Sequence, residues 1–99
     1  MEELTTTAWD TAIDLHFDGA IADCGRLRMG TDAETVEIEC DDGTILEVVS
    51  FMHEGEEVYT VDTYANRGAR ADGEVDAQGG GPISEMYETL QGIARDHYV

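Results

Sequence analysis

The chain has 99 residues, with 23 Asp plus Glu set against five Arg and no Lys, for a formal net charge of −18. That length suits one domain, and no run approaches the ~20 apolar residues of a membrane span. Met1-Glu2-Glu3 lacks the basic-then-apolar pattern of a secretory leader, and collagen, coiled-coil and disulfide-framework readings fail on composition.

The first six residues are expected to fray. From Thr7 two periods compete. Trp9, Ala12, Ile13, His16 and Phe17 fall on one helical face, with Thr7 as cap and Gly19 as stop. Ile13, Leu15 and Phe17 also alternate with Asp14, His16 and Asp18, a strand pattern running into Asp18-Gly19. The helix is preferred, and it leaves Leu15 off its apolar face. Ile21, Leu27 and Met29 share one strand parity and Arg26 and Arg28 the other, so a strand is expected over 24–30.

Val36, Ile38 and Cys40 alternate with Glu37, Glu39 and Asp41, then Asp42-Gly43 signals a two-residue turn. Residues 44–52 are β-branched and apolar on both parities, which marks a central strand. A polar turn over 53–57 leads into a further strand over 58–65. Residues 66–81 show no period and read as a loop rich in glycine. Ile83, Met86, Tyr87, Leu90, Ile93, Ala94 and His97 then form the stripe of a closing helix, with Pro82 in its first turn. The expected fold is α+β: an antiparallel meander of three to four strands with the C-terminal amphipathic helix packed on one face and a second, N-terminal helix. Residues 1–99 form a single small domain, with a Gly-rich flexible loop at 66–81.

Hydrophobic residues make up 41% of the chain and are grouped and periodic, which argues against disorder as the cause of the acidity. A solvent of very high salt explains it better. At ~1 M salt the Debye length is about 3 Å, so surface carboxylates barely repel one another. Lysine would add a long apolar stem to that surface. The composition resembles that of cytoplasmic proteins from extreme halophiles, which implies a cytoplasmic location. The acidity lowers the expectation of nucleic-acid binding without removing it. Arg26 and Arg28 beside Tyr59 or Tyr64 are the residues such a surface would use.

Three constellations carry possible chemistry. Glu74-x-Asp76-x-Gln78-Gly79, with Glu85 behind it, approximates the spacing of a calcium-binding EF-hand loop. Glu74 and Gln78 are each one methylene too long for their positions, and an acidic chain makes accidental matches easy. Gly79-Gly80-Gly81-Pro82 opens a helix, where free N–H groups can bind an anion, with Arg67 and Arg70 folding back as cations. There is no GK[ST], so a Walker loop is absent. Cys24 or Cys40 beside His16 or His53 would be a thiolate nucleophile, although reduced, buried thiols are the expected state. His53-Glu54-Gly55-Glu56-Glu57 is not H-E-x-x-H and reads as an acidic turn.

The expected function is a non-catalytic protein-interaction or self-assembly module of a halophile-adapted cytoplasm, working on a protein partner or on itself as a homo-oligomer. Trp9, Tyr59, Tyr64, Tyr87 and Tyr98 are the expected interface, being more large amphipathic side chains than so small a core can bury. The alternative is a small anion- or nucleotide-binding regulator using residues 66–85. Neither enzyme activity nor a cofactor is expected.

Overall fold

The computed structural model describes residues 8–28 and 33–98. Along the chain these form α1 (Ala8–Phe17), β1 (Asp23–Arg28), β2 (Ala33–Glu39), β3 (Ile45–His53), β4 (Glu56–Tyr64), α2 (Arg67–Ala71), β5 (Ala77–Pro82), a 3₁₀ turn (Ile83–Glu85) and α3 (Met86–Asp96). The strands lie in the order β1-β2-β3-β4-β5, each antiparallel to the next. The α+β meander holds, with five strands rather than three or four.

The extra strand comes from the segment expected to be an irregular loop. Asn66 starts it, its Oδ1 accepting from Ala69 N at 2.8 Å to cap α2. β5 then pairs with β4 over Thr63 to Val58. Its Ala-Gln-Gly-Gly-Gly-Pro sequence has almost no side chains in which alternation could show. One of the glycines is required by contact. A Cβ on Gly80 would sit 2.7 Å from the Tyr59 carbonyl oxygen, so only glycine lets β5 close on β4.

The central hairpins follow their turn chemistry. β2 and β3 are joined by a three-residue loop, 41–43, one residue longer than the sequence suggests. Cys40 N donates to Thr44 O at 2.8 Å, and Gly43 N to Cys40 O at 3.0 Å. β3 and β4 close on Glu54-Gly55, with φ of 50° and 80° and His53 opposite Glu56. Positive φ at both central residues gives a primed turn whose twist suits the strands. In β1 the register shifts between Arg26 and Arg28, and Leu27 between them is exposed. Residues 29 and 30 of the expected strand, together with 1–6 and Thr7, lie outside the described residues.

α1 and α3 cover one face of the sheet. Val36, Ile38, Leu46, Val48, Tyr59 and Val61 meet Ala8, Ala12 and Leu15 of α1 and Met86, Leu90 and Ala94 of α3. Fully burying one such aliphatic side chain stabilises by about 1.5–3 kcal/mol. α1 is a helix, but its buried face is Ala8, Thr11, Ala12 and Leu15. Phe17 is 82% exposed, and His16 is exposed as well. Leu15 is the one large side chain on that face and is wholly buried in the core. Ser50 Oγ accepts from Ala8 N at 3.0 Å and ties the start of α1 to β3. Pro82 ends β5 rather than opening α3, which begins after the 3₁₀ turn.

Candidate functional site

Strand register sorts the second face of the sheet into rows. Gly25, Glu37, Glu47, Asp62 and Gln78 stand side by side across all five strands. Beyond them lie Thr35, Val49, Thr60 and Gly80, and then Ala33, Phe51, Val58 and Pro82. On the other side of the acidic row, Ile45 and Tyr64 are buried.

α2 covers the acidic end of this face. Arg67 donates from Nη1 to Glu37 Oε1 at 2.6 Å and from Nη2 to Glu39 Oε1 at 2.9 Å. Those bonds, Glu37 first, push its pKa up. Arg70 lies between Glu37, 3.5 Å from its Nε, and Glu47, 3.9 Å from its Nη2. The guanidinium groups neutralise carboxylates that strand pairing forces together; like charges directly opposite destabilise a sheet. The far end of the face, from Ala33 and Thr35 across to Val58 and Thr60, has no helix over it among the described residues.

The expected anion site is not assembled. Gly79, Gly80 and Gly81 are paired along β4 rather than looped at a helix start. Arg67 and Arg70 are engaged with carboxylates on β2 and β3, and β3 and β4 separate β2 from β5. The calcium-like spacing is likewise drawn out along a strand. Glu74 N donates to Ala69 O and Asp76 N to Thr63 O. Gln78 Nε2 donates to Asp62 Oδ1 at 3.2 Å, and Glu85 lies in the 3₁₀ turn. Among the described residues no group of three or more His, Cys, Asp or Glu could hold a metal ion.

Of the five aromatic residues expected at an interface, Tyr59 is 2% exposed and Tyr64 6%, so both belong to the interior. Trp9 is half-buried with the Arg26 guanidinium 4.7 Å above its ring. Tyr87 donates from its hydroxyl to Asp18 Oδ2 at 2.7 Å, which raises its pKa. Tyr98 is 61% exposed.

Nucleophilic chemistry finds no support in the thiols. Burial, then Asp42, Asp41 and Glu39, push the Cys40 thiol up to about 11. Burial and Asp23 also raise Cys24. Both thiols are free, and a raised pKa suppresses the reactive thiolate. One imidazole that meets a carboxylate is His97, which in the sequence belongs to the α3 stripe. Its Nδ1 lies 2.8 Å from Asp42 Oδ2 and 3.2 Å from Thr44 Oγ1. Both contacts fall on one ring nitrogen. Asp42 N also donates to His97 O, and Asp42 Oδ1 accepts from Thr44 N. The group is a clamp between the β2–β3 loop and the end of α3. His97 lies more than 50 residues from Asp42 and Thr44, and the one local signal is Asp-Gly-Thr, which favours an Asx turn.

The concavities are modest. One of about 250 Å³ lies between α3 and β5, with Val61, Gly79 and Ile93 in its lining. Another of about 220 Å³ is lined by Asp18, Gln91, Arg95 and Tyr98 among others. Both fall below the roughly 300–1,000 Å³ of ordinary small-molecule sites. Comparison with known proteins finds no matching family model, no matching curated protein and no matching solved structure.

Proposed function

We propose that this protein is a non-catalytic interaction or self-assembly module suited to a highly saline cytoplasm. The observation that carries the reading is the uncovered end of the sheet. Phe51, Val49 and Val58 lie there in two neighbouring register rows, half-buried and, among the described residues, without a helix above them. Apolar area on a small domain, rimmed by a charged row, is the ordinary composition of a protein contact. The raised thiol pKa values and the modest concavities weigh against an enzyme. The engagement of Arg67 and Arg70 with Glu37, Glu39 and Glu47 weighs against the anion-binding alternative.

Sedimentation in about 3 M KCl, where the surface charge is screened, tests the reading alongside capture on immobilised protein. The expected result is a complex, with itself or a partner, that Phe51→Arg abolishes while leaving the circular dichroism unchanged. A wild-type chain that stays monomeric and retains no partner overturns it. The saline setting has its own test. A net charge of −18 destabilises the folded state by self-repulsion, so Tm should rise from about 0.1 M to about 3 M KCl. An unchanged Tm refutes that part.

A further inference from the structure

We propose that the outer edge of β5 is where a second copy of this chain docks, strand against strand, about a two-fold axis at Gly79. The inference rests on the interaction reading above and names its partner. The direction of each backbone group on β5 follows from register. The two-residue turn at Glu54-Gly55 makes His53 and Glu56 a hydrogen-bonded pair. Even-numbered residues of β4 therefore turn their N–H and C=O toward β3, and odd-numbered ones toward β5. Their partners Ala77, Gly79 and Gly81 turn inward. Gln78 and Gly80 turn outward. The same parity carried across the sheet accounts for the bond from Cys40 N to Thr44 O and for the Glu39 carbonyl turning toward β1, where it accepts from Ala22 N just before the strand. Pro82, which has no N–H, falls at an outward position, where a ladder loses nothing.

The two edges of the sheet differ. On β1 the outward Cys24 N–H is taken by Asp23 Oδ1 at 2.8 Å, and the register shift before Arg28 breaks the line of the strand. Such local caps, charges and bulges are how sheets refuse further strands. β5 carries no charge and no register shift over its six residues. For a chain of net charge −18, a second copy meets least repulsion along such a stretch. With Gly79 facing Gly79, each Gln78 stands opposite a Gly80, and four backbone hydrogen bonds form with no side chain in the way. The contact is isologous, as a two-fold dimer requires. It also joins the two uncovered sheet faces side by side, since Gly80 and Pro82 belong to the rows of Val49 and Phe51. Asp76 precedes the strand and Glu85 follows it, so pairing brings acids together at its ends and favours high salt.

The test compares wild type with Gln78→Pro and Gln78→Ala in about 3 M KCl. Proline removes the outward N–H of residue 78 and the side-chain bond to Asp62 but no backbone bond to β4; alanine keeps that N–H and removes only the bond to Asp62. Wild type and Gln78→Ala are expected to sediment as dimers and Gln78→Pro as a monomer of unchanged circular dichroism. Amide exchange supplies a readout on the unmodified chain. From dilute to nearly fully paired protein, exchange at Gln78 and Gly80 should slow about tenfold, while the outward Arg26 amide on the other edge does not change. A dimer indifferent to Gln78→Pro, or exchange at Gln78 and Gly80 indifferent to concentration, overturns the inference. If Phe51→Arg still dissociates such a dimer, the interaction reading stands without it. A monomeric wild type overturns the inference too, and leaves the broader reading to partner capture.

Discussion

Leu15 and Phe17 are two residues apart on α1, and the helical stripe expected from sequence takes Phe17 and omits Leu15. The structure reverses them: Leu15 is wholly buried and Phe17 is 82% exposed. Truncating Leu15 to alanine removes its apolar contact and leaves a cavity under α1, bounded by strand side chains that cannot fully collapse. Such truncations destabilise by about 2–5 kcal/mol, a large share of the ~5–15 kcal/mol available to a small domain. Taking about 3 kcal/mol and ~4–8 °C per kcal/mol for a chain of this size, Tm should fall by about 10–25 °C. Phe17→Ala should stay within about 0.5 kcal/mol, as exposed substitutions do. Melting curves followed by far-ultraviolet circular dichroism in concentrated KCl read both variants. The reasoning fails if Phe17→Ala loses as much as Leu15→Ala, because α1 would then present the other face to the sheet.

Two further outcomes follow from the polar contacts. Arg70→Gln should destabilise the fold more in dilute buffer than in concentrated KCl, because Glu37 and Glu47 lose the cation between them and salt screens what remains; chemical denaturation at both salt levels reads the difference, and equal losses would refute it. Hydrogen bonds from Thr44, with a smaller contribution from His97, hold the Asp42 carboxyl near about 2, below its ordinary 3.8. A depressed carboxyl gives its full stabilisation above the unfolded value and loses it as pH falls through the folded one. The stability gap between wild type and Asp42→Asn should therefore close between pH 3.8 and about 2; a gap constant through that window would show that the carboxylate charge contributes nothing.

What could be read from sequence depended on whether side chains carried the pattern. β2 alternates Val36, Ile38 and Cys40 with acids, and both central turns contain an Asp-Gly or Glu-Gly pair, so hairpin order was readable from local chemistry. The α3 stripe was equally plain because Met86, Leu90 and Ala94 are spaced by four. β5 was hidden because three successive glycines have no faces to alternate. α1 was misread because its buried face is built from Ala8, Thr11 and Ala12, which score poorly beside Trp9 and Phe17. By sequence alone Tyr59 and Tyr64 are surplus to so small a core. In fact strand register turns Tyr59 under the helices, and α2 covers the end of the face where Tyr64 is buried. The Asp42–Thr44–His97 clamp depends on which loop the end of α3 reaches, and no window of sequence holds both partners.

The order of the strands also bears on how the chain reaches its native state. Each strand lies beside its predecessor, so the ladder grows by closing short loops in succession, and each closure loses little chain entropy. Ribosomal synthesis delivers the strands in the sequence in which they are used, and no early segment waits for a distant mate. The exceptions are the contacts of α3, with α1 and through His97 with the β2–β3 loop, which reach far back along the chain. Until the last helix leaves the ribosome, the side of the ladder beneath it stays open to water, and that interval is when a nascent chain is most at risk of clumping.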